Sequence, residues 1–377
     1  MESPFEYNKY VTGSLFIGRT KEVGILCNLL KERNNVLIYG QARTGKKSLI
    51  YNSLDKLHQE SYNFKTCHIN LFNIRCIEAM LLKYTNQVLS CFTSSATEWS
   101  VLVKKHIPSA HYIIDQLSPS TPKLTYETKD LLTNEQVAEI LNFPEILANE
   151  YNTHLIIYLE QFQDILLFDD PHRTFRLLEQ GWANSNKVNY LITGERYNAM
   201  IEIFEEKKYF YHFAEQIKIL PIDEKIFADF IIKGFLKAGK VVQPELALSI
   251  YDLVGGDPWY AQHLASICFE MTKGYLNDRI IDQAVCCLIN LHDYQFHSIV
   301  YGLSKHQLRF LKAVLEGVTK FSSADILDKY KLNSSANVNR LKEALTKKEI
   351  ITFNENKEAE FMDPLLKLWF EKYFFVK

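Results

Sequence analysis

The chain has 377 residues, of which 47% are hydrophobic and 23% are charged, and its net charge at pH 7 is −2. A chain of this length usually forms about two or three domains. The nearly neutral charge excludes a generally basic nucleic-acid binder, although a local basic face stays open. The seven cysteines are scattered without a Cys-x-x-Cys pair, which favours reduced thiols in a cytoplasmic protein over a disulfide framework or zinc site. Because no run of about 18 apolar residues exists, no membrane span is expected.

The first part of the sequence alternates short apolar runs with segments of helical spacing. The runs that resemble buried parallel strands are residues 34–40, 64–72, 153–162 and 188–195. Between them, one helix is predicted over residues 76–106 and another over 133–152, interrupted near Pro144. Alternating strands and helices predict a three-layer α/β domain with a parallel sheet, which we place at residues 1–222.

Beyond Pro221 the sequence changes to consecutive helical segments. Residues 223–298 are predicted to form a small all-α domain, because apolar residues recur there at helical spacing. Residues 299–377 predict three helices with serine caps, followed by a β-hairpin with a polar turn at 354–357. Three helices and a hairpin are the content of a winged helix.

Residues 37–54, LIYGQARTGKKSLIYNSL, predict a strand, a glycine-bounded loop and a helix. The loop matches the phosphate-binding pattern G-x-x-x-x-G-K-[ST] except at its last position. Two glycines let consecutive backbone N–H groups point at one phosphate, and the lysine of the pattern reaches the β- and γ-phosphates. The predicted nucleotide-binding residues of this loop are Gly40, Gln41, Ala42, Arg43, Thr44, Gly45, Lys46, Lys47 and Ser48. The alternative is a βα turn that binds nothing.

Lys47 occupies the position where a Ser or Thr hydroxyl normally binds Mg²⁺. One interpretation is that its ammonium takes the place of the cation, which would make nucleotide binding independent of metal. The other is that Lys47 turns to solvent and leaves Mg²⁺ without a ligand. We favour the first as a hypothesis.

Residues 153–162 lie where the metal-side strand of such a site would be, a strand that normally ends in Asp-Glu. There the Asp holds Mg²⁺ and the Glu polarises the attacking water. This chain has Glu160 and Gln161, the candidate catalytic residues in degenerate form. Glu160 could still bind Mg²⁺, but Gln161 cannot accept a proton. The alternative is that both residues only end a buried strand.

At this point the motifs resemble those of the archaeal-type AAA+ ATPases of the STAND class. The matching pieces are SPFEYNKYVTGSLFIGRTKEV, NVLIYGQARTGKKSLI, LIIYLEQFQDI, NYLITGE, GGDPWYAQHL and FMDPLLKLWF. They follow the family's order along almost the whole chain. The resemblance implies a P-loop α/β domain, an all-α lid and a winged helix, with ATP or ADP held among them as a molecular switch.

The resemblance also assigns further residues to the nucleotide. Phe16, Gly18 and Arg19 would lie near adenine, and Pro258 would pack against the base from the lid. Glu195 and Arg196 would lie on the γ-phosphate side, where Arg196 is either a phosphate sensor or a solvated surface residue. Position 195 usually holds a small polar residue in the family, and position 47 a threonine. The departures all fall on the catalytic side, so hydrolysis is expected to be weak or absent while binding is retained.

The predicted recognition helix of the winged helix carries Arg340, Lys342 and Lys347 as candidate DNA contacts. Residues 301–377 contain 14 Lys and Arg against 10 Asp and Glu, a net charge of +4. The alternative, which we favour, is a winged helix that packs within the protein, because the predicted wing is acidic and phosphates would be repelled.

Three functions are therefore expected, of which the first is preferred. The chain is a nucleotide-gated switch of a signalling type, with a partner protein or self-association and doubtful use of Mg²⁺. Alternatively it is an active Mg²⁺-dependent ATPase in which Glu160 holds the metal, or a DNA-binding regulator that acts through the winged helix.

Overall fold

The computed structural model describes residues 2–115, 122–127, 131–205 and 209–375. They form two compact units, each with its own hydrophobic core. We call Lys21–Ala42 with Leu49–Ile219 the sheet unit, and Met1–Thr20, Arg43–Ser48 and Leu220–Lys377 the helical unit.

The described strands form one sheet of five strands and two short antiparallel pairs. They are β1 (Val36–Tyr39), β2 (Phe64–Asn70), β3 (Tyr112–Ile114), β4 (Leu124–Tyr126), β5 (His154–Glu160), β6 (Val188–Thr193), β7 (Glu215–Lys218), β8 (Ile351–Phe353) and β9 (Ala359–Phe361). The large sheet has the order β2-β5-β6-β1-β7 and all its neighbours are parallel. Every residue of β1, β5 and β6 is buried, as expected for central strands of a parallel sheet.

Helices connect these strands, so the sheet unit is the parallel α/β structure that the sequence predicts. They are α1 (Thr20–Lys31), α2 (Lys46–Gln59), α3 (Ile77–Phe92), α4 (Ala96–His106), α5 (Asn134–Glu150), α6 (Pro171–Trp182) and α7 (Tyr197–Phe204). Because the strands are parallel, the loops after β1, β2, β5 and β6 all leave from one edge of the sheet, where ligands of such sheets bind.

The helical unit contains the remaining α-helices of the described chain. They are α8 (Glu224–Leu236), α9 (Pro244–Asp252), α10 (Pro258–Met271), α11 (Asp278–Tyr301), α12 (Lys305–Leu315), α13 (Ala324–Lys329), α14 (Ser335–Lys347) and α15 (Pro364–Trp369). Ser304 caps α12 in a capping box with Gln307, and the Ser334 side chain caps α14. The pair β8–β9 follows α14, so the predicted helices and hairpin of the C-terminal region are confirmed.

Two predicted helices differ from those observed. The segment predicted as one helix over residues 76–106 is α3 and α4, because the Ser95 side chain caps α4 and starts a new helix. Pro144, expected to interrupt its helix, lies inside the continuous α5 and is buried. The division into three domains stays a prediction, and α11 continues through its boundary at residue 298. Among the described residues, no helix is both long and apolar enough to cross a membrane.

Candidate functional site

The glycine-bounded loop joins β1 to α2, as predicted. Arg43 and Gly45 have φ angles of 62° and 90°, so the backbone takes left-handed turns just before the helix. The helix begins at Lys46, and its first turn has no acidic residue. A helix N-terminus with this preceding turn attracts an anion, because backbone N–H groups and the positive end of the helix dipole point outward there. These features fit a phosphate group.

Arg19 and Ser48 attach the N-terminal segment of the helical unit to this loop. The buried Arg19 guanidinium donates hydrogen bonds to the carbonyl oxygens of Thr44, at 3.1 Å, and Leu220, at 2.9 Å. The Ser48 hydroxyl accepts a hydrogen bond of 3.0 Å from the backbone N–H of Val11. Arg19 therefore stabilises the conformation of the loop through its hydrogen bond to Thr44.

The segment predicted to lie near adenine borders a groove. Gly18 has a φ of 71°, and a Cβ there would come within 2.5 Å of the Ile222 side chain, so only glycine fits. Next to it, a cavity of about 770 Å³ lies between the N-terminal segment and α8. Its walls include Leu15, Ile17 and Phe230, and most of its lining is apolar. Such a surface suits the flat face of a base.

Arg43 connects the loop to α10. Its guanidinium carbon lies 4.2 Å from the centre of the Trp259 ring, a cation–π contact. Its Nη1 donates a hydrogen bond of 3.4 Å to the Tyr260 hydroxyl, which in turn donates one of 2.9 Å to Oδ2 of Asp363. One side chain of the loop thus reaches, through Tyr260, the carboxylate that begins α15.

The Asp-Pro pairs that begin α10 and α15, Asp257-Pro258 and Asp363-Pro364, lie next to each other. The carboxylate of Asp257 caps α10 by accepting hydrogen bonds from two backbone N–H groups, and Asp363 caps α15 in the same way. Gly255 lies against Pro364, and a Cβ at Gly255 would come within 2.9 Å of the proline Cβ. Pro258, predicted to pack against a base, is the first residue of α10 and is buried in this junction. The two motifs, distant in sequence, form one structural element.

The ionisation of this junction depends on burial. Burial raises the pKa of Asp257 to about 7, and the neighbouring charge of Asp363 also raises it. Burial likewise lowers the pKa of His263 to about 4 and lowers that of His292, whose ring centre lies 6.0 Å from that of His263. His263 also stacks on Tyr7, with ring centres 4.0 Å apart. Burial therefore favours the neutral form of both imidazoles.

Glu160 lies at the end of β5 in the sheet unit and is 6% exposed. Its Oε2 accepts a hydrogen bond of 2.9 Å from Nε2 of His68 and one of 3.2 Å from Nδ2 of Asn70. The His68 ring stacks on Tyr158 at 4.6 Å. The carboxylate that was predicted to hold Mg²⁺ therefore already has two side-chain partners on β2.

Gln161 follows Glu160 with a φ of 61°, in the left-handed region. Its amide oxygen accepts a hydrogen bond of 2.6 Å from Nε2 of the buried Gln163. The Oε1 of Gln163 accepts a longer bond, 3.3 Å, from the backbone N–H of Glu195. Gln163 thus connects Gln161 with the turn after β6. Among the described residues, no group of three or more His, Cys, Asp and Glu side chains is placed to hold a metal ion.

The candidate DNA contacts lie on α14 in different environments. Arg340 and Lys347 are exposed, whereas the Lys342 ammonium lies about 5 Å above two rings, at 5.3 Å from Phe321 and 5.2 Å from Phe353. In the wing, Nδ2 of Asn354 donates to carboxylates of Glu358 and Glu360. A role of these residues in DNA binding stays a prediction.

Several side chains of these sites were not predicted as functional. They are His68, Asn70, Gln163, Trp259, Tyr260 and Asp363. His68 and Asn70 could have been found, because both lie at the end of a predicted parallel strand and such ends share one edge of the sheet with Glu160. The partnership of Arg43 with Tyr260 has no signal in the sequence.

Comparisons with known proteins agree with this fold. The profile of a family described as "Probable winged helix domain" matches residues 294–372. No curated protein matches the sequence. Among solved structures, the chain is similar to the Walker-type ATPase PABY2304 of Pyrococcus abyssi, with 15% identity, a TM-score of 0.66 and coverage of 97% of this chain and 98% of that one.

The chain is also similar to the ORC2 protein of Aeropyrum pernix, solved as ADPNP–ADP complexes. The identity is 14%, the TM-score is 0.56, and 95% of this chain and 93% of that one are covered. At these identities the likeness concerns the fold. The predicted fold class is confirmed: the chain has the fold of these structures, with a parallel α/β sheet followed by helices, and its C-terminal region matches a winged-helix family.

Proposed function

We propose that this chain is a STAND-type molecular switch that binds ADP or ATP at the Gly40–Ser48 loop and hydrolyses ATP slowly or not at all. The nucleotide state would set the position of the winged helix. The contact of Arg43 with Tyr260, and of Tyr260 with Asp363, carries the proposal.

Phosphate binding is supported by the geometry of the loop. Left-handed turns at Arg43 and Gly45 precede a helix that begins at Lys46 without an acidic residue in its first turn. Lys46 is 7% exposed, so its ammonium works in a region with little competing water. A polyphosphate at this place would gain both helix-dipole and lysine contacts.

Coupling to the winged helix is supported by the position of Arg43. Its guanidinium stacks on Trp259 within a group of side chains that also holds the carboxylates of Asp257 and Asp363. A nucleotide phosphate at the loop would compete with these carboxylates for the same cation, because guanidinium binds both groups well. Movement of Arg43 toward phosphate would remove its hydrogen bond to the Tyr260 hydroxyl. The hydrogen bond from that hydroxyl to Asp363, at the N-terminus of α15, would then weaken.

Slow hydrolysis is supported by the residues of the sheet unit. Glu160 accepts hydrogen bonds from His68 and Asn70, so binding a metal would require exchange of these partners. Gln161 can orient water but cannot take its proton. Lys47 stands in place of the metal-binding hydroxyl. We propose that its ammonium replaces Mg²⁺ and that nucleotide binds without metal.

Tryptophan fluorescence offers a direct test, because Arg43 stacks on Trp259. Titration of the nucleotide-stripped chain with ADP or ATP should change the emission, and Trp259→Phe should remove that change. Lys46→Ala should abolish it, whereas Lys56→Ala, a lysine further along α2, should preserve it. Binding seen by calorimetry without any signal from Trp259 would refute the coupling and leave nucleotide binding intact.

A further inference from the structure

The long helix α11 has an exposed face with large uncharged side chains. Leu291, Tyr294 and Tyr301 expose 62%, 88% and 91% of their surface. Surface helices normally direct charged residues to solvent. Clustered exposed apolar and aromatic residues indicate a contact surface.

These three residues belong to a regular pattern of five residues, which are Cys287, Leu291, Tyr294, Ser298 and Tyr301. Successive members are separated alternately by four and three residues, which is the a/d spacing of a two-stranded coiled coil. We call these five residues the α11 seam. None of them is charged, so the seam can meet an identical seam without like-charge repulsion.

The two ends of the seam have complementary shapes. Near its start lies a shallow groove of about 540 Å³, lined by Asp282, Gln283, Cys286, Cys287, Asn290 and Leu291. At its other end Tyr301 projects almost fully into solvent. A projecting ring and a groove at opposite ends of one helix match each other when two copies are antiparallel.

We propose that the α11 seam is a self-association surface, on which a second copy of this chain packs its own α11 in antiparallel orientation. In this register Leu291 faces Tyr294 of the second copy, Cys287 faces Ser298, and Tyr301 enters the groove. The interface is isologous, so both copies make the same contacts. This proposal does not depend on nucleotide binding.

Charge favours the antiparallel orientation. Asp282 is exposed beside the groove, and parallel helices would place it next to its own copy. Antiparallel helices put the two aspartates at opposite ends and pair their dipoles favourably. Asp293, near the middle of α11, accepts a hydrogen bond of 2.8 Å from Nε1 of Trp369.

The size of the seam predicts a weak dimer. The fifteen residues from Cys287 to Tyr301 form a helical segment roughly 22 Å long. We expect a contact between two such segments to bury less area than a stable complex, which buries about 1,200–2,000 Å². Sedimentation velocity of the full chain over a concentration series should therefore show a reversible equilibrium between monomer and dimer. Tyr301→Glu should weaken dimerisation by about tenfold or more, since it replaces the projecting ring by a charge.

The matched control is Tyr275→Glu, which changes another tyrosine of the helical unit, 74% exposed and outside α11. It should leave the dimerisation constant unchanged. Thermal melts of both variants establish that they fold. A chain that stays monomeric at every concentration, or a dimer that Tyr301→Glu does not weaken, would overturn the proposal.

The register can be tested by cross-linking. In a Cys286→Ser background, Ser298→Cys should give an intermolecular disulfide between position 298 and Cys287 of the second copy under mild oxidation. Peptide mass spectrometry identifies the linked pair, and Cys287→Ser should remove it. A link from position 298 to position 298 would instead show parallel helices and refute the antiparallel arrangement.

Discussion

The hydroxyl of Tyr260 donates a hydrogen bond of 2.9 Å to Oδ2 of Asp363, 103 residues later in the chain. This bond joins the first turn of α10 to the residue that caps α15. Arg43 of the glycine-bounded loop donates to the same hydroxyl, at 3.4 Å. Tyr260 therefore lies between the loop and the C-terminal helix, and the loss of its hydroxyl should be measurable as a loss of stability.

Tyr260→Phe should lower the free energy of unfolding by about 1–3 kcal/mol, because it removes a hydrogen bond to a carboxylate and leaves that carboxylate with one partner fewer. Urea unfolding at pH 7 measures the change. Tyr275→Phe is the matched control, since Tyr275 is 74% exposed, and should change stability by less than about 0.5 kcal/mol. If both variants unfold at the same urea concentration as the parent, the bond contributes nothing to stability.

Asp257 should make stability fall as pH rises from about 4 to 7. Its pKa is about 7 in the folded chain against a usual 3.8, so the folded state holds a proton that the unfolded state releases in this interval. Asp257→Asn keeps an N-cap but removes this titration. The variant should therefore gain stability relative to the parent as pH rises, by about 3 kcal/mol across the interval.

Urea unfolding at several pH values between about 4.5 and 7.5 measures this difference. His263 has the opposite effect, since its pKa of about 4 makes stability rise with pH up to its usual 6.5, but it is present in both proteins and cancels. Asp252→Asn, at an exposed residue of α9, is the control. A difference that does not vary with pH would refute the burial of a protonated Asp257.

The proposal attributes slow ATP hydrolysis to the residues at positions 47 and 161, so restoring the expected residues there should increase the rate of hydrolysis. The double change Lys47→Thr and Gln161→Glu supplies a metal-binding hydroxyl and a base. Mg²⁺-dependent ATP turnover should rise by about a hundredfold, the usual effect of a general base. Phosphate release measures the rate, and adding Lys46→Ala should abolish it. A parent protein that already turns over ATP as fast as the double variant would show that Glu160 suffices.

Much of the fold could be predicted because its strands and helices have local signals. β1, β5 and β6 are buried apolar runs, and the loop glycines mark the turn before α2. β7 was missed because it is an edge strand in which Ile217 alone is buried, so its sequence lacks an apolar run. Pro144 gave a wrong break in α5, where packing of a buried proline outweighs its local preference.

Two parts of the candidate site could be predicted from the sequence. The spacing of Gly40 and Gly45 is a local signal of the loop, and the end of a predicted strand places Glu160. The partners of these residues come from distant segments: His68 lies 92 residues before Glu160, and Tyr260 lies 217 residues after Arg43. The parallel strands could have brought His68 to Glu160, but the contact of Tyr260 with Arg43 depends on the packing of complete elements, which residue patterns do not encode.

The most direct measurement is a calorimetric titration of the nucleotide-stripped chain with ADP and with ATP, each in the presence and absence of Mg²⁺. We expect binding in all four titrations, with affinities that differ by less than about threefold with Mg²⁺. Lys46→Ala should abolish binding, and Lys56→Ala should retain it. Binding that requires Mg²⁺ would contradict the proposed role of Lys47, and no binding at all would contradict the nucleotide switch itself.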